Sequence, residues 1–218
     1  AVDGCSQQSI GVLVSSTGAG KTVMALYLIE KRKQPTLILV HTKELMNQWI
    51  DRIGKFLGIQ AADVGIIGGG KFRIGEQITV GMVQTLHKRT DKVTPHIGHL
   101  ILDKINTPET GMYYLKTVEQ FDCKYQLWLT SSARRGAPLN EIIKCYVGPI
   151  IGQIDKKDLL NNGNLYQGEA FFLPTGFTPV ADPYVNYIHA LTEMTQILDR
   201  NLLIAKTAIK YTDSYDFT

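Results

Sequence analysis

Five short, nearly unbroken apolar runs punctuate the chain: Ile10 to Val14, Thr36 to Val40, Ile78 to Val83, His99 to Asp103 and Tyr125 to Leu129. Runs this short and this continuous suit strands buried on both faces, as in a parallel sheet. Between the first two, Lys21 to Lys33 is apolar on most sides through Val23, Met24, Leu26, Leu28 and Ile29. It closes on Lys31-Arg32-Lys33 and is stopped by Pro35, both helix-end signals. A second helix is predicted from Lys43, with Leu45, Trp49, Ile53 and Phe56 at spacings of four, four and three and Thr42 as its cap. Strand, helix, strand at this spacing predicts right-handed βαβ units and a doubly wound α/β domain over residues 1–150, a mostly parallel sheet with helices on both faces. Residues 151–218 read as a C-terminal extension. There Asn161-Asn162-Gly163-Asn164 predicts a turn, Leu165 to Leu173 a strand-like stretch, Pro174, Pro179 and Pro183 a loop, and Tyr184 to Tyr211 a helix.

The sharpest chemistry sits between the first strand and the first helix, in Ser15-Ser16-Thr17-Gly18-Ala19-Gly20-Lys21-Thr22. This matches the phosphate-binding pattern G-x-x-x-x-G-K-[ST], with Ser15 at the first glycine position. Glycines let backbone N–H groups converge on phosphate oxygens, the helix N-terminus adds partial positive charge, and Lys21 can reach the outer phosphates. Ser16 to Thr22 are therefore the candidate nucleotide-binding residues, and Thr22 offers a hydroxyl to Mg²⁺. Such a site needs an acidic partner on a neighbouring strand. Asp103, ending Leu100-Ile101-Leu102, would emerge at the C-terminal edge of the sheet, where open α/β folds bind ligands.

Composition adds bounds rather than a direction. At 218 residues, 44% hydrophobic and 20% charged, the chain has enough apolar surface for a core without disulfides. No apolar run approaches the roughly 18 residues of a membrane span, and the start carries no secretory signal, so a cytoplasmic or, in a eukaryote, nuclear protein is expected. Cys5, Cys123 and Cys145 are odd in number and far apart, which suits buried thiols. The net charge of +3 is uneven: residues 1–149 hold 18 Lys and Arg against 12 Asp and Glu, and residues 150–218 hold 5 against 8. The first two-thirds is the part that would face a polyanion. His96-x-x-His99 has metal-ligand spacing but no further ligands, so both histidines are read as structural. Trp49, Phe56 and Trp128 are read as core, and Tyr113-Tyr114 as packing rather than base stacking.

In order and spacing, the motifs of this chain resemble those of superfamily 2 helicases, and among them XPB-type DNA helicases. The residues that carry this are Ser15 to Thr22, Val40-His41-Thr42-Lys43-Glu44-Leu45, Val83-Gln84-Thr85-Leu86, Asp103, and Leu129-Thr130-Ser131-Ser132 followed by Arg134-Arg135. The resemblance runs on through Ile154 to Leu159 and to Asp199-Arg200-Asn201. It implies a RecA-like first motor domain that binds ATP and Mg²⁺, with Lys21 and Asp103 as the catalytic pair and Thr22 and Asp103 serving the metal. It implies nucleic-acid backbone contacts from Thr42, Lys43, Gln84 and Thr85, with Arg134 and Arg135 as further candidates, and coupling of the two sites through Thr130, Ser131 and Ser132. The implied partners are single-stranded or duplex DNA rather than RNA, and a second RecA-like domain in cis or in trans that supplies an arginine finger. Gln7 and Gln8 are the candidates for reading adenine.

Two departures from the family pattern matter. Where the family has Asp-Glu-x-His, this chain has Asp103-Lys104-Ile105-Asn106, so a cation replaces the carboxylate that would polarise the attacking water. A cation about 5 Å from the metal, at an effective dielectric near 20, opposes it by on the order of several kcal/mol. If Lys104 instead turns into solvent, the site still lacks its base. Where the family has Ser/Thr-Ala-Thr-Pro, this chain has Thr130-Ser131-Ser132-Ala133, keeping hydroxyls and losing the proline. The readings that follow are an ATP-binding DNA helicase or translocase motor with impaired hydrolysis, and a non-catalytic nucleotide or nucleic-acid binding module derived from one. A small P-loop kinase leaves the Thr42, Thr85 and Thr130 motifs unexplained.

Overall fold

The computed structural model describes residues 2–103, 114–131, 148–161, 163, 172–180, 182 and 184–212. Two compact units divide the chain, residues 1–167 and 168–218. In the first, helix α1 (Val2–Gln7) precedes β1 (Ile10–Ser15), α2 (Lys21–Arg32), β2 (Thr36–Val40), α3 (Lys43–Leu57), β3 (Gly65–Gly68), β4 (Lys71–Arg73), β5 (Ile78–Met82), the single turn α4 (Val83–Leu86), β6 (His99–Asp103), β7 (Tyr125–Thr130) and β8 (Ile150–Ile154). A helix at 114–118 lies between β6 and β7.

The eight strands form one sheet in the order β4-β3-β5-β2-β6-β7-β1-β8. Every pairing is parallel except β3 with β4. The five strands read from the sequence are its centre. The short hairpin β3–β4 and the edge strand β8 were not legible there.

The apolar runs are continuous because both sheet faces are covered. Leu37, Leu39, Leu100, Leu102 and Trp128 pack on one face with Val83, Leu86, Val93, Ile97, Tyr114, Leu115 and Val118. Their strand neighbours Leu13, Ile38, Val40, Ile101, Leu127 and Leu129 pack on the other with Ala25, Leu26, Leu28 and Ile29 of α2 and Met46, Trp49 and Ile53 of α3. Phe56 departs from the predicted stripe: it is 45% exposed on the last turn of α3. Cys5 and Cys123 are buried free thiols, as expected, and Cys145 lies outside the described residues.

Beyond β8, a helix covers Lys156–Asn161 and Gly163 turns the chain at φ 67°. Residues 172–179 have no regular structure, and 164–171, most of the predicted strand-like stretch, lie outside the described residues. The predicted helix from Tyr184 is two helices, Tyr187–Gln196 and Leu198–Thr212, because Ile197 is extended at φ −80°, ψ 108°. No described helix is long and apolar enough to cross a membrane.

Candidate nucleotide and nucleic-acid site

Parallel pairing brings the C-terminal ends of six strands to one edge. Ser15, Val40, Met82, Asp103, Thr130 and Ile154 close β1, β2, β5, β6, β7 and β8 there. All the motif loops within the described residues leave from this edge.

Gly20 caps α2 in the left-handed conformation, φ 79° and ψ 24°, and Gly18 is left-handed as well at φ 86°. Side chains with a Cβ avoid that region, which is why glycines stand there. A Cβ at Gly20 would meet nothing within 4 Å, so the space over the helix start is open. No side chain caps α2, and its first N–H groups keep their capacity for an anion. Lys21 is buried, its Nζ donating to the carbonyls of Ser15 (2.6 Å) and Ser16 (2.7 Å). The ammonium thus sits folded onto the loop that it would leave to meet a phosphate. The hydroxyls of Ser15 and Ser16 are buried without a hydrogen-bond partner. Thr22 is half-buried in the first turn of α2.

Asp103 ends β6 only 5% exposed. A carboxylate so buried needs donors, and Trp49 Nε1 donates to its Oδ2 at 2.8 Å across 54 residues of sequence. Trp49 is itself 1% exposed, anchored in the core under α3. The sequence reading had it as core alone. The Tyr114 hydroxyl lies 3.1 Å from both the Leu39 and the Asp103 carbonyl oxygens and donates to this pair. Burial, with Asp103 beside it, pushes the Tyr114 phenol up, so it stays a donor. Trp49 and Tyr114 brace Asp103 at its side chain and its backbone.

The oxygen donors Thr22 and Asp103 suit a hard cation such as Mg²⁺. Among the described residues no group of three His, Cys, Asp or Glu could hold a metal alone, so phosphate oxygens and water would complete the shell. When bound, the metal neutralises phosphate charge. Lys104, Ile105 and Asn106 lie outside the described residues.

Thr42 caps α3, its hydroxyl accepting from Leu45 N at 3.2 Å, as the sequence predicts. Lys43 is exposed on the first turn. Gln84 and Thr85 lie in α4, and Gln84 Nε2 donates to the His41 carbonyl at 3.0 Å, tying the two loops together. Thr130 ends β7 beside Asp103, whose register partner is Leu129, and Ser131 follows it. Ser132, Arg134, Arg135 and Tyr113 lie outside the described residues. Gln8 stands at the opposite edge, its carbonyl accepting from Arg32 at the far end of α2, a strand's length from the phosphate loop.

At that opposite edge Arg32 Nη1 donates to His99 Nε2 (2.8 Å), while Nη2 donates to the Cys5 and Gln8 carbonyls (2.9 Å each). Its guanidinium lies 4.4 Å over the Tyr125 ring. Burial first, and Arg32 second, push His99 down to about 3, so its ring is neutral. His99 is structural, as read, and alternation along β6 puts it on the same face as Asp103 but at the other end of the strand.

Residues 2–134 match the family of the type III restriction enzyme res subunit. The chain belongs to that family. Its domain is a superfamily 2 helicase domain with XPB-type relatives. The DNA 3'-5' translocase XPB2 of Sulfurisphaera tokodaii is 35% identical over 152 residues, 69% of this chain and 33% of that protein. Rad25 of Haloarcula marismortui is 27% identical over 155 residues, 69% of this chain and 24% of that protein. The chain thus spans a third or less of the length of these relatives. The UvsW helicase from bacteriophage T4 shares the fold, with a TM-score of 0.55 at 21% identity over 67% of this chain and 55% of that one. A DEAD box protein from Methanococcus jannaschii does so too, with a TM-score of 0.55 at 19% identity over 70% and 47%. The helicase domain is therefore RecA-like, a mostly parallel sheet between helices.

Proposed function

We propose that this superfamily 2 domain binds ATP at Ser16 to Thr22, holds Mg²⁺ through Thr22 and Asp103, and carries a nucleic-acid strand on Thr42, Lys43, Gln84 and Thr85. One observation carries the reading: the parallel sheet delivers the phosphate loop, the braced Asp103 and both strand-contact loops to one edge. Lys21 exchanges two carbonyl oxygens for phosphate oxygens, a stronger partner for an ammonium. Thr130 and Ser131, beside Asp103, are placed to pass a change at the phosphates toward the strand, together with Ser132. DNA is favoured over RNA because XPB2, the relative at 35% identity, is a DNA translocase by name.

Turnover by the chain as it stands is slow. Lys104 occupies the position of the water-polarising carboxylate, and the second RecA-like domain that would close the cleft is a partner in cis or in trans. That substitution also favours a second reading, a motor domain that binds nucleotide and strand without hydrolysis.

Calorimetric titration with ATP and ADP, with and without Mg²⁺, tests the site. Lys21→Ala is expected to weaken nucleotide binding by roughly a hundredfold, about 3 kcal/mol, and equal affinities would overturn the assignment. A turnover assay separates the two readings: Lys104→Glu together with an added second domain restores nucleic-acid-stimulated hydrolysis only if the first holds.

A further inference from the structure

Beyond the loops that the motifs mark, the molecule has a second concavity on the same side of the sheet. Gly68, Gly69 and Gly70 all have positive φ (148°, 57° and 81°) and turn the chain so that β4 runs back along β3, pairing Phe72 with Ile67 and Lys71 with Gly68. Between this hairpin and α4 lies a notch of about 360 Å³. Its walls are Lys71 and Phe72 from the hairpin, Gln84 and Thr85 from α4, and Lys88 and Arg89 from the segment after it.

Three of those six side chains are cations, and no carboxylate lines the notch. The Phe72 ring rests half-buried against the core and lies 5.5 Å from the Arg89 guanidinium, so ring and guanidinium make one flat, cationic surface. Gln84, tied to the His41 carbonyl, joins the notch to the loop that carries Thr42. A patch of lysines alone attracts any anion. A flat aromatic–guanidinium surface between lysines answers an anion joined to a flat ring, which is a nucleotide: bases stack on aromatic rings and on arginine planes, and phosphates pair with the cations. An acidic protein segment satisfies the charges and leaves Phe72 without a role. The volume is at the lower end of the roughly 300–1,000 Å³ of small-ligand pockets, room for one unit of a strand. In a duplex the bases are stacked and paired, so the strand that offers one is single.

We infer that the notch between the β3–β4 hairpin and α4 is a nucleotide subsite for single-stranded nucleic acid, with Phe72 and Arg89 as its stacking surface and Lys71 and Lys88 as its phosphate ligands. This rests on the strand-binding reading above and extends the path from Thr42 to the outer edge of the sheet.

The test is fluorescence anisotropy of a labelled oligothymidylate on the full chain over a salt series. Phe72→Leu keeps an apolar filler over the core and removes the flat face; it is expected to weaken binding roughly fivefold or more with the salt slope unchanged. Lys71→Ala with Lys88→Ala is expected to flatten the slope of log affinity against log salt by about 1.4, near 0.7 for each contact. Thermal midpoints within error of the parent show that the variants are folded. If Lys43→Ala weakens binding while both notch variants match the parent, the subsite is overturned and the strand-binding reading stands. If the lysine pair weakens binding and Phe72→Leu does not, the notch is a bare anion patch and the subsite is overturned. If the parent does not bind the strand at low salt, both fall.

Discussion

The two edges of the sheet carry similar residues and treat them in opposite ways. Where the strands start, Arg32 uses both Nη groups on His99, Cys5 and Gln8 and covers the Tyr125 ring, joining α1, α2, β6 and β7. Where they end, Lys21 bonds only carbonyls of its own loop, the Ser15 and Ser16 hydroxyls have no partner, and Lys43, Lys71, Lys88 and Arg89 are exposed. Arg32 is committed to distant elements, so moving it disrupts the fold. Lys21 is committed to its neighbours, so moving it costs little beyond two hydrogen bonds that a phosphate replaces. The same charge is structural at one edge and available at the other because of what its partners are attached to.

Asp103 tests that contrast most severely, since it lies at the available edge but is held as a structural group would be. Trp49→Phe removes the indole donor from a carboxylate that is 5% exposed and leaves space beside it. The expected cost is about 2 to 3 kcal/mol of stability in urea titration. Nucleotide affinity should also lose several-fold of its Mg²⁺ dependence, while affinity without metal stays unchanged. A stable variant with normal Mg²⁺ dependence would show that Asp103 holds its position without Trp49.

At the other edge, acid should be the disruptive agent. The His99 ring is held down to about 3, against about 6.5 in an unfolded chain, by burial and by Arg32. The unfolded state therefore takes up its proton first as pH falls. The stability that His99 confers is intact above about 6.5 and is lost progressively down to about 3, with about 2 kcal/mol gone between pH 7 and pH 5. His99→Gln, which cannot titrate, is expected to have a flatter profile over that window. Equal slopes in parent and variant would remove His99 from the account.

Much of this contrast was legible in the sequence, and the rest was hidden for identifiable reasons. Apolar runs gave the five central strands, and the glycine pattern gave the phosphate loop, because each is a local signal. β3 and β4 are short, with glycines in one and two cations in three residues of the other, so no period of two develops. Trp49 falls on the apolar stripe of α3 and reads as core, and its bond to Asp103 spans 54 residues that no local pattern connects. Phe56 has the same spacing signal but lies on the last turn, with Lys55 Nζ 5.9 Å from its ring. The break at Ile197 follows neither proline nor glycine, and what marks it is tertiary detail: Asn201 Nδ2 donating to the Thr195 carbonyl at 2.8 Å.

The smallest predicted effect separates two roles of one side chain at the available edge. Helices α2 and α3 both start there, but α2 has no side-chain cap, whereas Thr42 caps α3 by accepting from Leu45 N at 3.2 Å. One N-terminus is left for a ligand and the other is closed by its own residue. The Thr42 oxygen is thus occupied as an acceptor, and its hydroxyl proton remains for a phosphate oxygen. Thr42→Ala removes both and is expected to cost about 1 kcal/mol of stability together with a several-fold loss of strand affinity. Thr42→Asp pulls the roles apart. A carboxylate caps at least as well and suits the positive end of the helix, so stability should return to the parent level. The same carboxylate has no proton to give and repels phosphate, so strand affinity should fall below that of Thr42→Ala. If Thr42→Asp binds the strand as the parent does, Thr42 is a cap alone, and the strand path begins at Lys43.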